Sequence, residues 1–292
     1  MTADRTQLRF VDAHVHHWDP ANTPWYPHLA PDFDLSALGV AGADRMKRRY
    51  LLEEYLADVR PWGIDKYVHV NATPAPKAYL DEGHWVVGLG GPVAAIVGTV
   101  DLEQDRAEVI KDLERQAELP QFRGIRNMHI PDPAARVFGE VLEFLRDRDL
   151  VYDFVVHPDT MASAAAAIRA VPGLRVVVEH TGWPTTTDDT HRQLWRTGMR
   201  ELAAVGENVA CKITGLAMTT QTLDVAINRP WLEDALDIFG TQRCLAGTNM
   251  PVDGVFGGVD ALMQTYLDVL DDRGPGAVEA VLATNAERVY RI

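Results

Sequence analysis

Cysteine is scarce in this chain. Cys211 and Cys244 are the only two, each lies inside an apolar run, and they lack the CxxC spacing of a typical zinc site. Cysteines of this kind are most often small buried hydrophobic residues of a protein in a reducing compartment. The sequence therefore argues against a metal site built from cysteine.

Positive charge and long hydrophobic runs are also scarce. Lysine and arginine number 28 against 42 acidic residues, which gives a formal charge of −14. Nucleic acids and anionic membranes attract clustered basic residues, so we expect neither as a partner. No apolar run approaches the roughly 18 residues of a membrane span, and residues 1–7 are short and polar, unlike a secretory signal. We expect a cytoplasmic protein with a small-molecule substrate; the sequence leaves a homo-oligomer open.

What the chain does contain is a regular alternation of short apolar runs and amphipathic stretches. The runs are rich in valine, isoleucine and leucine, as buried parallel strands are. They span Leu8–His16, Lys66–Asn71, Ala94–Leu102, Phe122–Ile130, Val151–His157, Arg175–His180, Val209–Leu216 and Arg243–Val252. The amphipathic stretches predict helices near 50–60, 75–86, 105–118, 134–148, 159–171, 190–205, 230–240, 258–271 and 276–289.

Eight strands, each followed by a helix, predict an α/β fold of the closed (β/α)8 TIM-barrel type. Such a barrel needs about 250 residues, so residues 1–292 would form a single barrel domain. The alternative is an open, doubly wound sheet, in which a glycine-rich turn follows the first strand. Here Gly88-Leu89-Gly90-Gly91 precedes a strand, which favours the barrel.

One long segment between the first strand and the first helix, about 19–47, shows no regular pattern. In a barrel it would lie over the catalytic face, where structureless loops of this length are usually functional. Its aromatic residues could form a lid over the substrate or a cluster that covers the mouth without touching substrate. They are Trp18, Trp25, Tyr26 and Phe33.

Polar residues at the predicted strand ends carry the functional information. Side chains alternate along a strand, so His14 and His16 share one face while Val15 takes the other. In a barrel, that shared face is the interior. Two neutral imidazoles at its carboxyl-terminal mouth can bind one divalent metal ion.

The other strands repeat this pattern. The fifth ends in His157 and the sixth in His180, and barrels place their chemistry at this side. The same rim carries four further polar residues: His69, Arg126, Lys212 and Asn249.

Arg126 and Lys212 would lie in the barrel interior, where a cation needs a partner. An anionic group of the substrate is one such partner. An internal ion pair with a nearby acid is the other, and the sequence does not decide between them. The candidate acids are Asp101, Asp153 and Glu179.

Five segments spread over nearly the whole chain resemble one known family. They are Val11-Asp-Ala-His-Val-His-His-Trp-Asp19, Arg123-Gly-Ile-Arg126, Val178-Glu-His-Thr-Gly-Trp-Pro184, Cys211-Lys-Ile-Thr-Gly-Leu216 and Asn285-Ala-Glu-Arg-Val-Tyr290. In this order they resemble the amidohydrolase-related (amidohydrolase 2) family of TIM-barrel metal-dependent hydrolases. That family includes sugar lactonases, a pyrone-dicarboxylate lactonase and, more distantly, decarboxylases of aromatic and muconate-type acids.

The resemblance implies a role for each residue. His14, His16 and His157 match metal-ligand positions, for zinc or manganese, although some lactonases of the family work without a tightly held metal. His180 matches the histidine that polarises or protonates substrate. Substrate contacts are expected from Arg126, Lys212, His69 and Trp18.

The eighth strand departs from the family pattern. The family usually has Gly-Ser-Asp-Trp-Pro there, with the aspartate as ligand and general base, whereas this chain has Gly247-Thr-Asn249-Met-Pro251. Asn249 can orient a water molecule, but an amide cannot accept a proton near neutral pH. His180, His157 or Asp253 would have to act as the base.

Three hypotheses follow. We favour hydrolysis of a lactone, with a small and carboxylate-bearing substrate, by activated water. Decarboxylation of an unsaturated or aromatic acid is the second, and it usually needs the aspartate that Asn249 replaces. The third is a catalytically altered barrel that acts as a binding protein.

Overall fold

The apolar runs pair side by side, in the order of the chain, as one eight-stranded parallel sheet. A computed structural model describes residues 8–35, 40–128 and 135–292. Its strands are β1 (Phe10–Val15), β2 (Ile64–Val70), β3 (Val93–Gly98), β4 (Phe122–Asn127), β5 (Val151–Phe154), β6 (Arg175–Val178), β7 (Val209–Lys212) and β8 (Cys244–Leu245).

The sheet returns on itself next to β1. The backbone of Ala13 donates to Ala246 (3.1 Å), and the residues after β8 continue the contact, since Asn249 donates to the carbonyl of His14 at 2.9 Å. An open sheet would leave the edge of β1 unpaired. The predicted TIM barrel is therefore confirmed.

Helices follow the strands and cover the outside of the barrel. They are α1 (Leu52–Val59), α2 (Tyr79–Gly88), α3 (Arg106–Ala117), α4 (Arg136–Asp147), α5 (Met161–Arg169), α6 (Asp189–Ala203), α7 (Ala217–Thr220), α8 (Val225–Phe239), α9 (Val259–Leu270), α10 (Ala277–Glu279) and α11 (Asn285–Tyr290). A π-helical turn, Ala280–Thr284, joins the last two. Among the described residues, no helix has the length and apolar character needed to cross a membrane.

Several predicted boundaries were wrong. The sequence pattern starts the seventh predicted helix at residue 230, whereas the corresponding helix α8 begins at Val225. The reason is that Asp224 caps it by accepting from the backbone of Ala226 at 2.8 Å. The short helix α7 was missed. Residues 129–130 of the predicted fourth strand and residue 134 of the following helix lie outside the described residues.

Two apolar layers give each strand an inner and an outer face. Small side chains such as Val11, Val68 and Ala95 fill the barrel interior, and the carboxyl-terminal helix adds Tyr290 to the same cluster. Larger side chains, including Tyr67, pack outward between the strands and the helices. Along a regular strand the parity of a residue therefore decides which face its side chain takes, and in β1 a register irregularity between Asp12 and Val15 interrupts the alternation.

The long segment after β1 is ordered around a bridge at its base. Trp18 and Tyr50 exchange two backbone hydrogen bonds of 3.0 and 2.9 Å. Two 3-10 turns, Pro27–Leu29 and Ala43–Met46, lie between them, and residues 36–39 are outside the described part. Tyr26, Leu29 and Met46 are buried in the outer core.

Candidate active site

His14 and His16 meet at the centre of the barrel mouth. Their Nε2 atoms lie 3.1 Å apart. His16 Nδ1 is 2.8 Å from the carbonyl of Val70, which can only accept, so Nδ1 carries the hydrogen and Nε2 does not. His14 Nδ1 lies 3.3 Å from a carboxylate oxygen of Glu179, which favours a hydrogen on Nδ1, and 3.4 Å from Lys212 Nζ, which can only donate. Burial, above all, holds the pKa of both imidazoles well below the ordinary value, so both are neutral.

This pair suits a metal ion. The two Nε2 atoms lie 3.1 Å apart, close enough for one cation to contact both. Nitrogens held at 2.0–2.1 Å by a tetrahedral zinc ion lie about 3.3 Å from each other. Side-chain ligand atoms of His14, Glu179 and His180 also lie within 4.8 Å of one another. The residues present therefore fit a divalent ion.

His180 completes the floor of the site. Its Nδ1 is 3.1 Å from Thr214 Oγ1, and its Nε2 is 3.7 Å from Glu179 Oε2. The ring centroids of His180 and His14 are 4.7 Å apart. Burial lowers the pKa of His180 to about 4, which leaves a neutral imidazole that can accept a proton at physiological pH.

The turn that carries His180 is unusual. His180, Thr181 and Trp183 adopt φ values of 50°, 55° and 35°, a left-handed region that residues other than glycine seldom occupy. Behind it, a β-carbon at Gly215 would lie 2.3 Å from His180 Nδ1, so only glycine leaves room for the imidazole. Strained backbone of this kind is typical of functional sites.

Below the histidines lies a buried ionic network. Lys212 Nζ contacts Asp153 Oδ2 at 2.5 Å and Glu179 Oε1 at 3.3 Å, and Arg126 Nη1 contacts Glu179 Oε2 at 3.3 Å. Tyr290 donates to both oxygens of Asp153 at 2.9 Å. Burial by itself would raise the pKa of Glu179. The neighbouring His14, Arg126 and Lys212 outweigh burial and hold the pKa of Glu179 well below its ordinary value. Burial raises the pKa of Asp153 to about 6, against the attraction of Lys212.

Arg126 is the one of the two interior cations that lies on the wall of the active-site cavity. Its guanidinium also donates to the carbonyl of Asn71. Lys212 is fully buried and both of its acidic partners are within contact distance, so the structure favours the internal ion pair over a contact between Lys212 and substrate. Asp153 and Glu179 are the acids that the sequence offered as partners; Asp101 is not in this network.

His69 lies on the other side of the barrel wall. It shares its parity on β2 with outward-facing Tyr67, its ring stacks on His17 with centroids 5.9 Å apart, and its Nε2 is 3.6 Å from Glu82 of α2. The side chain of His69 therefore faces the helical layer and not the cavity, and the substrate contact expected of it stays a prediction that this geometry does not favour.

His157 follows β5 by three residues and lies at the edge of the site. Its ring packs against Trp183 with centroids 5.5 Å apart, and its Nδ1 is 3.4 Å from the carbonyl of Trp183. His157 is not in the group formed by His14, Glu179 and His180. The described geometry brings His180 to the histidine pair instead, and a ligand or catalytic role for His157 stays a prediction.

Asn249 reaches the cavity from the eighth strand position. Its Nδ2 donates to Asp253 Oδ1 at 3.0 Å, and Asp253 Oδ2 accepts from the backbone of Gly215 at 3.2 Å. Burial raises the pKa of Asp253 to about 7. Asp253 is absent from the cavity wall, so the carboxyl group acts on the site through the Asn249 amide that it orients.

A cavity of about 380 Å³ opens above these residues. Its polar lining is confined to the floor and one edge: His16, His28, Thr73, Arg126, His180 and Asn249. The segment after β1 supplies one apolar wall, formed by Trp18, Phe33, Val40 and Met46. Facing residues supply the other, formed by Ala72, Met128, Trp183, Met218 and Val252. The segment after β1 therefore packs into the core and also lines the cavity, and Trp18 lies where a substrate contact was expected.

Sequence reasoning gave no role in the cavity to His28 or Trp183. His28 belongs to an irregular segment, where periodicity gives no orientation, and its neutral state follows from burial, which lowers its pKa to about 4. Trp183 enters the wall because of the left-handed turn after His180. In the sequence, the one signal for a residue in this wall is the tryptophan itself, which follows the predicted sixth strand.

Comparison with known proteins identifies the family. The family model described as amidohydrolase matches residues 11–292. An L-fucono-1,5-lactonase from Burkholderia ambifaria is 30% identical over 97% of this chain and 95% of its own length. An uncharacterized protein from Sinorhizobium fredii is 28% identical over 98% of this chain and 100% of its own length. An amidohydrolase from Burkholderia multivorans, crystallised with zinc bound, has a TM-score of 0.81 at 25% identity and covers 97% of this chain and 99% of its own. This chain therefore belongs to the amidohydrolase family and is a hydrolase enzyme.

Proposed function

We propose that this enzyme opens a lactone ring by adding water to the ring carbonyl. The observation that carries the proposal is the pair of converging Nε2 atoms of His14 and His16, placed beside neutral His180 at the floor of a small-molecule cavity. The lactonase named among the relatives supports the same reaction class.

The donor set is suited to a divalent ion, zinc or manganese, held by the Nε2 atoms of His14 and His16, while His180 stays free to exchange a proton. When bound there, such an ion would supply Lewis acidity that polarises a carbonyl and lowers the pKa of water. Glu179 contacts His14 Nδ1, and the Val70 carbonyl contacts His16 Nδ1, so both Nε2 atoms are directed to the same point. The zinc-bound relative from Burkholderia multivorans supports this assignment.

Proton transfer is assigned to His180. As the water oxygen adds to the carbonyl carbon, its proton passes to the neutral imidazole. When the ring carbon–oxygen bond breaks, the same proton passes to the departing ring oxygen, and the product is a hydroxy acid. Thr214 holds His180 through Nδ1, so Nε2 is the nitrogen that exchanges the proton.

Asn249 and Arg126 complete the set. Because the amide nitrogen of Asn249 is committed to Asp253, its oxygen is the atom left to accept a hydrogen bond from the attacking water. The guanidinium of Arg126 lies on the cavity wall, where its positive charge stabilises the oxyanion that develops on the carbonyl.

The test is lactone turnover measured by proton release, with His180→Asn as the principal variant. We expect kcat/KM to fall about 10²- to 10⁴-fold, because Asn keeps a polar group but cannot exchange a proton. His84→Asn, at an exposed position of α2, is the matched control and should retain wild-type activity. Full activity in His180→Asn would remove the proton-transfer role. Failure to open any of a broad panel of lactones would overturn the function itself.

A further inference from the structure

His14 Nδ1 has two neighbours of opposite hydrogen-bonding character. Oε1 of the ionised Glu179 lies 3.3 Å away and can only accept, whereas Lys212 Nζ lies 3.4 Å away and can only donate. A neutral imidazole carries one hydrogen. With Glu179 as partner that hydrogen is on Nδ1, and with Lys212 as partner it is on Nε2, the atom that faces His16. The choice of partner therefore decides whether Nε2 is open to a cation.

Asp153 competes with His14 for the ammonium group of Lys212. Its Oδ2 lies 2.5 Å from Nζ, whereas Glu179 Oε1 and His14 Nδ1 lie 3.3 and 3.4 Å from the same atom. Hydrogen bonds between charged groups are the short and strong ones. Lys212 is therefore drawn toward Asp153, which leaves Glu179 as the partner of His14 Nδ1.

Tyr290 supports Asp153 from the far side of the network. Its hydroxyl lies 2.9 Å from both carboxylate oxygens, and its ring centroid is 5.3 Å from Lys212 Nζ. Tyr290 is fully buried, belongs to α11, and is not part of the cavity lining. A buried carboxylate depends on its donors to stay charged, so the Tyr290 hydroxyl maintains the attraction between Asp153 and Lys212.

We propose that Tyr290 is a positioning residue of the metal site. Its hydroxyl holds Asp153, Asp153 holds Lys212, and Lys212 is thereby kept from donating to His14. The hydrogen of His14 is then on Nδ1, and Nε2 is open to a divalent ion. A cation at Nε2 strengthens the contact between Nδ1–H and Glu179, so the ion and Tyr290 favour the same tautomer. This rests on the divalent site of the proposed function and adds to it a residue outside the cavity.

The first measurement is the zinc affinity of full-length Tyr290→Phe. The variant removes the hydroxyl and keeps the ring beside Lys212. Both proteins are stripped with chelator and titrated with zinc alone, in competition with a chromophoric chelator. A shift of His14 by about ten to one toward the Nε2–H form weakens zinc binding about tenfold, since only the other form binds. Losses of about 10- to 100-fold are typical when the outer partners of a metal-binding histidine are removed.

Tyr266→Phe is the matched control for lost stability. The Tyr266 hydroxyl is also buried and also makes two contacts of 2.9 Å, to the carbonyls of Ile213 and Gly247. Urea unfolding should show that both variants lose stability, and only Tyr290→Phe should bind zinc more weakly. Equal weakening of zinc binding in the two variants would reduce the effect to lost stability and overturn the proposal.

Nuclear magnetic resonance of the histidine rings reads the tautomer directly. In metal-free protein with ¹⁵N-labelled histidine, the couplings between ring nitrogens and carbon-bound hydrogens distinguish Nδ1–H from Nε2–H, and loss of one signal in His14→Gln assigns His14. We expect Nδ1–H in the wild type and a shift toward Nε2–H in Tyr290→Phe. An unchanged His14 tautomer in Tyr290→Phe would overturn the proposal, even with weaker zinc binding.

A variant without the competing donor tests the route of the effect. In the double variant Lys212→Met with Asp153→Asn, the Tyr290 hydroxyl has no ammonium group to hold away from His14. Adding Tyr290→Phe to this background should change zinc affinity less than about twofold, because the two changes act through one contact. A loss as large as that in the wild-type background would show that Tyr290 acts by another route.

The readouts separate this proposal from lactone hydrolysis. Zinc affinity and the His14 tautomer are measured without any lactone, so failure to open a lactone overturns the proposed function and leaves the role of Tyr290 standing. Wild-type protein that opens lactones but binds zinc no more tightly than His14→Ala would overturn the role of Tyr290 and leave the hydrolysis standing.

Discussion

His14 and His16 present their Nε2 atoms to each other at 3.1 Å. Two imidazole nitrogens at this distance can bind one cation together. The arrangement is held from behind by a carboxylate and a backbone carbonyl, so the imidazoles are positioned before any ion arrives. Metal affinity is therefore the first property on which the site can be tested.

Loss of one member of the pair should abolish tight metal binding. We expect protein purified without chelator to contain about one divalent ion per chain, and His14→Ala to lose most of it, since a single imidazole lacks the chelating geometry. Elemental analysis provides the measurement, with His84→Ala on the exposed face of α2 as control. Equal metal content in His14→Ala and the control would contradict a site at this pair.

Lys212 should be essential for stability. Replacement by Met leaves Asp153 and Glu179 buried with one cation fewer, and breaking a buried pair in this way costs about 3–5 kcal/mol. Urea unfolding should show this loss, and Lys212→Met with Asp153→Asn should recover part of it. Arg136→Met, at an exposed ion pair on α4, should show no resolvable change. A loss for Lys212→Met no greater than that of the control would disprove the network's importance.

The outcome for Lys212 and His69 shows what the sequence could and could not predict. Alternation correctly placed His14 and His16 on one face, since their Nε2 atoms meet at 3.1 Å. It did not predict the register irregularity between Asp12 and Val15, which lies between Val11 of the barrel interior and this pair. The same rule, applied to β2, would have turned His69 outward. There, small Val68 alternates with large Tyr67, and small residues fill a barrel interior.

The adjacent residues Glu179 and His180 mark the limit of that rule. Neighbours on a strand point to opposite faces, yet both side chains reach the site, because β6 ends at Val178 and His180 takes φ 50°. No periodic pattern encodes such a turn. The partners of the interior cations also could not be predicted, because the sequence contains several acids but gives no distances between side chains. The distances in the structure select Asp153 and Glu179.

Gly215 should control the position of His180. A β-carbon there would approach His180 Nδ1 to 2.3 Å, and the residue's φ of 67° is itself unfavourable for alanine. We expect Gly215→Ala to displace the imidazole and lower kcat at least tenfold. Gly88→Ala provides the matched control, because Gly88 lies in open space at the end of α2. A crystal structure of Gly215→Ala with an undisturbed His180 would contradict the steric explanation.

Asp253 should make stability depend on pH. Burial raises its pKa from 3.8 to about 7, so the folded protein favours the protonated acid. This contribution is complete below the unfolded value near 4 and is lost as pH rises through 7. Asp253→Asn has no carboxyl group that titrates in this range. The difference between its free energy of unfolding and that of the wild type should therefore increase between pH 4 and 8, by up to about 4 kcal/mol. A difference that stays constant across this range would show that Asp253 does not titrate as described.

Placing the family's aspartate at position 249 should not improve stability or activity unless Asp253 is changed as well. Asn249→Asp replaces the amide that donates to Asp253 at 3.0 Å with a second carboxyl group. Two carboxylates at that distance cannot both ionise, so one pKa rises and the new group is a poor base at neutral pH. We expect Asn249→Asp to lose stability and activity at pH 8. The double variant Asn249→Asp with Asp253→Asn should recover both properties, because the amide donor is then supplied from position 253. Unfolding and turnover of both single variants and the double variant give the coupling between the two sites. Strictly additive effects would show that Asn249 and Asp253 act independently, and that the asparagine is not retained as the donor to this buried acid.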